Sequence, residues 1–187
     1  MADREKKKKR AYLDDFEKDL NGNYQYRGAH YRYAGEHPHS RVLALLWLFC
    51  GGGAALTVGA GALPGATAHA PVYLLLPYMA EVGLTGSIVW AMTRWQAREY
   101  PMRAYVYKAT VKALPGRCMA EAVLAGAGAA AEVVYLLLSG AGGHGLMAAL
   151  YLLLKAVSVA AALSARRLVL QSRWEPEEGN SEITTES

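Results

Sequence analysis

Four long apolar runs occupy most of the chain between Arg41 and Arg167, and they constrain the fold more than any other feature. A helix that crosses a bilayer needs about 20 mostly apolar residues, because the hydrocarbon core is about 30 Å thick and a helix rises about 1.5 Å per residue. The runs that meet this requirement are 42–63, 71–93, 118–139 and 144–165. The pattern predicts an all-α integral membrane protein whose four-helix transmembrane domain covers residues 41–167.

The overall composition hides this pattern. The 187 residues are 53% hydrophobic and 19% charged, which is typical of a soluble protein. The charged residues, however, lie mostly outside the four runs. Glycine is frequent in the first and third runs, although it costs about 1 kcal/mol relative to alanine in a water-exposed helix and is common in membrane spans. Two cysteines exclude a disulfide-stabilised scaffold.

The distribution of basic residues predicts how the spans are oriented. Of the 20 Lys and Arg residues, ten precede the first run, six lie in the loop 94–117 and three follow the fourth run. The loops 64–70 and 140–143 contain none. Because basic loops stay on the cytoplasmic side, we expect two in-out-in hairpins in the cytoplasmic (plasma) membrane. Both termini and the middle loop are then cytoplasmic.

The first 40 residues are expected to form a basic and aromatic cytoplasmic region. Residues 3–20 have helical periodicity, and residues 24–33 alternate aromatic and polar side chains about Gly28, as a short β-hairpin would. A polybasic cluster near the start consists of Lys6, Lys7, Lys8, Lys9 and Arg10. Such clusters attract anionic lipid headgroups at about 1 kcal/mol per residue, and they also determine topology. Basic residues between aromatics could stack nucleobases, but headgroup or protein docking is the preferred interpretation, and no nucleic-acid partner is expected.

Two further segments are expected on the cytoplasmic side. In the loop 94–117, Met102 and Val106 fall on the apolar face of a short amphipathic helix that Pro115 would end. Its basic residues reach the headgroups. The tail 168–187 is acidic and lacks apolar periodicity, so it is predicted to be disordered.

Three ionisable residues, Glu81, Glu132 and Lys155, lie deep within the runs. A charge at the centre of a span costs about 3 kcal/mol on insertion scales, so each predicts a specific role. Glu81 and Lys155 lie at matching depths, about 15 and 16 Å from the outer ends of their runs, and Glu132 lies about 10 Å deep. We expect Lys155 to pair with Glu81, Glu132 or both. Glu121, three residues from the inner end of its run, is expected to reach water.

This intramembrane charge site has two interpretations. In the structural one, the pairing of Lys155 fixes how the two hairpins pack. In the functional one, two carboxylates and one lysine leave a surplus negative charge in a low dielectric, which suits the exchange of a proton or an ion. Pro77, four residues before Glu81, predicts a helix kink that is compatible with both.

Small residues recur at four-residue spacing in three of the runs, and in the fourth run they are Ala156 and Ala160. Gly51, Ala55 and Gly59 follow this spacing in the first run, and Gly126 and Ala130 follow it in the third. Faces of this kind let helix backbones approach closely. The spacing predicts helix packing, either within one chain or between chains.

The sequence lacks the motifs of common enzyme classes. No Asp follows Asp19, and neither a Cys-x-x-Cys pair nor a phosphate-binding loop occurs. Cys50 and Cys118 belong to different runs and lie at different depths, so a disulfide-relay role is not expected. The histidines of residues 30–39 occur in a flexible context, and we expect neither a metal nor a cofactor.

These features predict a non-enzymatic membrane component that acts by association with itself or with a larger membrane complex. The alternative is a small oligomeric transporter or channel, coupled to ions or protons, that uses Glu81, Glu132 and Lys155. A third interpretation is a membrane enzyme that acts on lipid, for which the catalytic residue pairs are missing. The expected partners are the lipid bilayer, anionic headgroups and a second copy or a membrane complex.

Overall fold

Long helices and small β-sheets make up the structure, a computed structural model that describes residues 16–18, 24–26, 28–63, 72–97, 101–139 and 145–177. The helices are α1 (His39–Gly61), α2 (Val72–Gln96), the short α3 (Ala104–Ala109), α4 (Leu114–Ser139) and α5 (Gly145–Gln171). The strands are β1 (Phe16–Lys18), β2 (Tyr24–Tyr26), β3 (His30–Tyr33), β4 (Met102–Arg103) and β5 (Trp174–Glu177). The four long helices, the third taken together with α3, are long and apolar enough to cross a membrane, as the apolar runs predict.

The long helices pack in a ring in which α1 and α4 each contact both α2 and α5. His39, at the start of α1, lies against Trp95 near the end of α2, and Gly61, at the end of α1, lies against Tyr78 in the first half of α2. Sequential helices therefore run in opposite directions. One end of the bundle carries the starts of α1 and α4 and the ends of α2 and α5. We call it the sheet end and its opposite the turn end.

A three-stranded sheet lies at the sheet end. Strand β3 is central and pairs antiparallel with β4 on one side and β5 on the other. Strands β1 and β2 form a separate antiparallel pair. The hairpin predicted about Gly28 is therefore wrong, because the partners of β3 come from distant parts of the chain. Asn21-Gly22, a typical hairpin-turn sequence, lies between β1 and β2 in the chain.

The N-terminal and C-terminal predictions need further correction. Phe16–Lys18 is a strand, so the predicted helix over 3–20 is wrong there. The polybasic cluster 6–10 lies outside the described residues. At the other terminus, α5 continues to Gln171 and Trp174–Glu177 pairs with β3, so disorder from residue 168 is wrong over this stretch. The composition of the tail does not predict strand β5, because the backbone partners of β5 come from β3 and not from the tail itself.

The middle loop contains a short helix, α3, in which Val106 is buried. Met102 is buried too, but it lies in strand β4 and not on the helix, so its predicted place on the helical face is wrong. Pro115 does not end that helix but lies in the first turn of α4, where proline costs no hydrogen bond. Each long helix also extends past its predicted run at the sheet end. Helix α4, for example, begins at Leu114 and not at residue 118. Apolar length marks the thickness of the hydrocarbon core, whereas the helices continue beyond it.

An aromatic cluster fills the space between the sheet and the bundle. It contains Tyr31, Tyr33, His39, Trp95, Tyr107 and Trp174. Trp174 has its ring centroid 5.6 Å from those of Trp95 and Tyr107, and the Trp95 indole nitrogen donates to His39 Nε2 at 3.2 Å. His39 is thus part of the aromatic packing. In the described part of the chain, no group of three or more His, Cys, Asp and Glu side chains could hold a metal ion.

Candidate functional site in the core of the bundle

Lys155 of α5 and Glu81 of α2 form an ion pair inside the bundle. Both side chains are fully buried. The Thr57 hydroxyl of α1 donates to Glu81 Oε1 at 3.0 Å, so a third helix supports the pair. Of the two partners predicted for Lys155, the structure places Glu81 in contact with it.

Aromatic rings and a glycine enclose the lysine. Lys155 Nζ lies 5.2 Å from the ring centroid of Tyr78 and 5.3 Å from that of Tyr151, within the range of a cation–π interaction. A β-carbon at Gly128 of α4 would lie 3.4 Å from the Tyr151 hydroxyl oxygen and 3.7 Å from Lys155 Cε. All four long helices therefore meet at the ion pair.

Glu132 lies on α4 and is 7% exposed. It acts electrostatically on Tyr151, whose ring is also a neighbour of Lys155 Nζ. Among the described residues, no cation forms an ion pair with it. The three residues of the predicted charge site thus divide into one close pair and one carboxylate beside it.

Glu121 is a further buried carboxylate, only 6% exposed. The Thr85 hydroxyl of α2 donates to its Oε1, and its Oε2 has no hydrogen-bond partner within the described structure. The expectation that Glu121 reaches water is wrong. Helix α4 begins one turn before the apolar run, which places Glu121 about 10 Å from the helix start.

A small cavity of about 20 Å³ lies beside Glu121, where all four long helices contribute to its lining. Ser158 of α5 also lines it, and the Ser158 hydroxyl is a second buried polar group with no partner in the part of the chain that is described. The two cysteines, Cys50 and Cys118, line the same cavity. Two residues that each carry a buried polar atom without a partner in the described structure thus line one small space in the core.

The two cysteines lie side by side, although their positions in the apolar runs predict different depths. Both are free thiols and both are buried. Cys50 is eleven residues from the start of α1, and Cys118 is four from the start of α4. Measured along the helix axis from the two thiols, the start of α1 is therefore about 10 Å further away than the start of α4. The run boundaries cannot report such an offset between helices.

This contact predicts a specific cross-link. Dibromobimane, which becomes fluorescent when it bridges two neighbouring thiols, should label the native protein in mild detergent. The Cys50→Ser and Cys118→Ser variants should react without gaining that fluorescence, because each retains one thiol. Equal fluorescence in a single-cysteine variant and in the native protein would contradict the proximity of the two thiols across the bundle.

The predicted helix-packing positions lie on the outside of the bundle. No heavy atom of the described residues is within 4 Å of the place that a β-carbon would occupy at Gly59 or Gly126, the helices' own backbone aside. Ala55 and Ala130 are exposed. At Gly51 a β-carbon would meet only Trp47 of the same helix. These faces are not used for helix packing within the described chain.

Other glycines make the close contacts inside the bundle. Gly61 packs against the Tyr78 ring so tightly that a β-carbon would overlap it, and Gly128 packs over the ion pair. Sequence reasoning did not single out either position, because neither belongs to a regular small-residue repeat. Their role depends on which neighbour reaches them across the bundle.

The hydroxyl side chains near the buried charges were also not predicted from the sequence. Thr85 follows Glu81 by four residues and Ser158 follows Lys155 by three, so each lies on the same helical face as a buried charge. That spacing was a usable signal. Thr57, in contrast, belongs to a helix without a buried charge, and its contact with Glu81 is visible only in three dimensions.

Comparison with known proteins gives no match for this chain, whether against family models, curated proteins or solved structures.

Proposed function

We propose that this chain is a four-span, non-enzymatic membrane component that acts by association, with a second copy of itself or with a larger membrane complex. The observation that carries the proposal is the position of the small-residue faces. Gly59 on α1 and Gly126 on α4 face open space, next to exposed Ala55 and Ala130. In a bilayer, such faces allow a helix of another chain to approach closely.

The ion pair supports the same proposal from the inside of the bundle. Lys155 and Glu81 satisfy each other within one chain, and both are shielded from lipid. Removing one partner of such a pair is strongly destabilising, which fits a structural role for these charges. Association then rests on the outer surfaces of the helices, and the core supplies a rigid frame for them.

The proposal includes an orientation. Basic side chains gather at the sheet end, among them Arg94, Arg103, Lys108, Arg117 and Arg167. By the positive-inside rule, the sheet end lies in the cytoplasm. The membrane of this proposal is the plasma membrane. The cluster 6–10 would then add affinity for anionic headgroups on the same side.

Bulky residues on the small faces should break the association without disturbing the fold. At Gly59 and Gly126 no neighbouring atom of the described chain lies within 4 Å of an added β-carbon, so the leucine of Gly59→Leu or Gly126→Leu starts from open space. We expect the double variant to raise the dissociation constant at least tenfold, which is about 1.4 kcal/mol. Förster transfer between labelled copies in liposomes, diluted with lipid, measures that constant.

Gly86→Leu is the matched control, because Gly86 is exposed on α2, has open space at its β-carbon and gains the same bulk outside any small-residue face. It should associate as the native protein does. The native protein could also need a different membrane protein as its partner. A native chain that stays monomeric at every lipid dilution would contradict self-association, and a double variant that associates normally would contradict the role of these faces.

A second candidate is an ion- or proton-coupled transporter that uses Glu81, Glu132 and Lys155. It is favoured by the excess of buried acids, since Glu81, Glu121 and Glu132 are buried together with only one buried lysine in the described chain. Flux through proteoliposomes tests it. Charge-neutralising substitutions should abolish flux and leave assembly intact in a transporter, whereas in an association module they should change stability.

A further inference from the structure

We propose that the cavity beside Glu121 is a binding site for one small, dehydrated monovalent cation. Glu121 and Ser158 both line this cavity. The Glu121 Oε2 atom and the Ser158 hydroxyl have no hydrogen-bond partner in the described structure. Both residues are more than nine-tenths buried. The Thr85 hydroxyl holds the other carboxylate oxygen and so fixes the direction of the first.

The charge balance around the cavity calls for a cation. Glu81 and Lys155 are the charged side chains that act on Glu121 from α2 and α5, and they already pair with each other. The groups that face the cavity from α1 and from α4 itself, Cys50 and Cys118, are thiols. An ionised Glu121 therefore has no counter-charge of its own, and an unpaired buried carboxylate is costly.

The size of the cavity limits the ion. A volume of about 20 Å³ is room for roughly one water-sized particle. A dehydrated sodium ion fits that space, whereas a hydrated ion or an organic cation does not. Divalent ions prefer six or more oxygen ligands with several carboxylates, and this cavity offers one carboxylate with the hydroxyls of Ser158 and Thr85.

The carboxylate also makes the site sensitive to pH. A carboxylate binds a cation in its deprotonated form, so a proton and the cation compete for Glu121. Affinity for the cation should fall as the pH falls. The inference goes beyond the proposed association and does not depend on it, because the site lies within one chain.

Thermal unfolding of the purified full-length chain in mild detergent tests the site. Sodium chloride replaces choline chloride at constant ionic strength and fixed pH. Because a ligand that binds only the folded state stabilises it, we expect the midpoint to rise by several degrees and to saturate. Lithium chloride and potassium chloride, titrated in the same way, give the size preference.

Glu121→Gln removes the charge and should abolish the sodium dependence. Glu132→Gln is the matched control, because it makes the same chemical change at another buried position of α4 and should leave the dependence intact. If Glu121→Gln does not fold, Ser158→Ala is the second variant that tests the site. It should raise the sodium concentration at half effect at least tenfold, and sodium-23 NMR should report weaker binding.

A native midpoint that does not change with sodium would overturn the proposal and assign the cavity to water alone. An equal rise in the native protein and in Glu121→Gln would overturn it too, because the ion would then act elsewhere. Neither result bears on the proposed association, which is tested separately with the Gly59→Leu and Gly126→Leu variants at constant salt.

Discussion

Lys155→Met should lower the free energy of unfolding by about 3–5 kcal/mol, the typical result of breaking a buried ion pair. Methionine is nearly as long as lysine and apolar, so the loss does not come from an empty space. It comes from Glu81, which stays fully buried without its cation and keeps only the Thr57 hydroxyl. The thermal unfolding midpoint in mild detergent, compared with that of the native protein, measures the effect.

The double variant Lys155→Met with Glu81→Gln is the decisive control. It removes the uncompensated charge and should recover most of the lost stability, since a buried pair replaced as a whole is often nearly neutral. Lys108→Met, on an exposed lysine of α3, should remain close to the native protein. If Lys155→Met is as stable as the native chain, the charge is retained for a reason other than stability, and the ion-coupled candidate takes precedence.

Gly128→Leu should destabilise the bundle by about 2 kcal/mol or more, through overpacking in the core. Position 128 lies over the ion pair, and already a β-carbon there would approach the Tyr151 hydroxyl oxygen to 3.4 Å. A methyl group is therefore tolerated as an ordinary contact, and Gly128→Ala should change little. The branched leucine side chain has no space and must displace Tyr151 or Lys155.

Gly126→Leu, two residues earlier on the same helix, provides the comparison. Its side chain enters open space, so the unfolding midpoint should remain near the native value while association weakens. The two variants thus separate folding from association with the same chemical change. Equal destabilisation by both would show that α4 is rotated relative to the arrangement described.

The four long apolar helices could be predicted from the sequence, because crossing a bilayer requires a fixed apolar length. The sheet could not. Alternation between residues 24 and 33 indicates extended backbone, and strands do form there. No local sequence pattern, however, predicts that His30 pairs with Arg103 and Glu177. Pairing over such distances depends on where the helices place the chain segments between them.

The candidate site was predictable to the extent that helix geometry determines it. Counting residues from the ends of the runs placed Glu81 and Lys155 at one depth, and they do pair. The same count failed for Glu121, because α4 begins at Leu114, one turn before the run in which the depth was measured. The sequence also does not determine how each helix is rotated about its own axis. The small-residue faces could therefore not be assigned to the inside or the outside of the bundle.

The sheet has a consequence for the order in which the protein is completed. Strand β3 is synthesised before any of the four spans, and β5, which covers one of its edges, is synthesised after all of them. Until then β3 has an unpaired edge, which is a template for wrong pairing. Closure of the sheet therefore requires that all four long helices have already been synthesised, and an incomplete chain remains distinguishable from a finished one by its open strand.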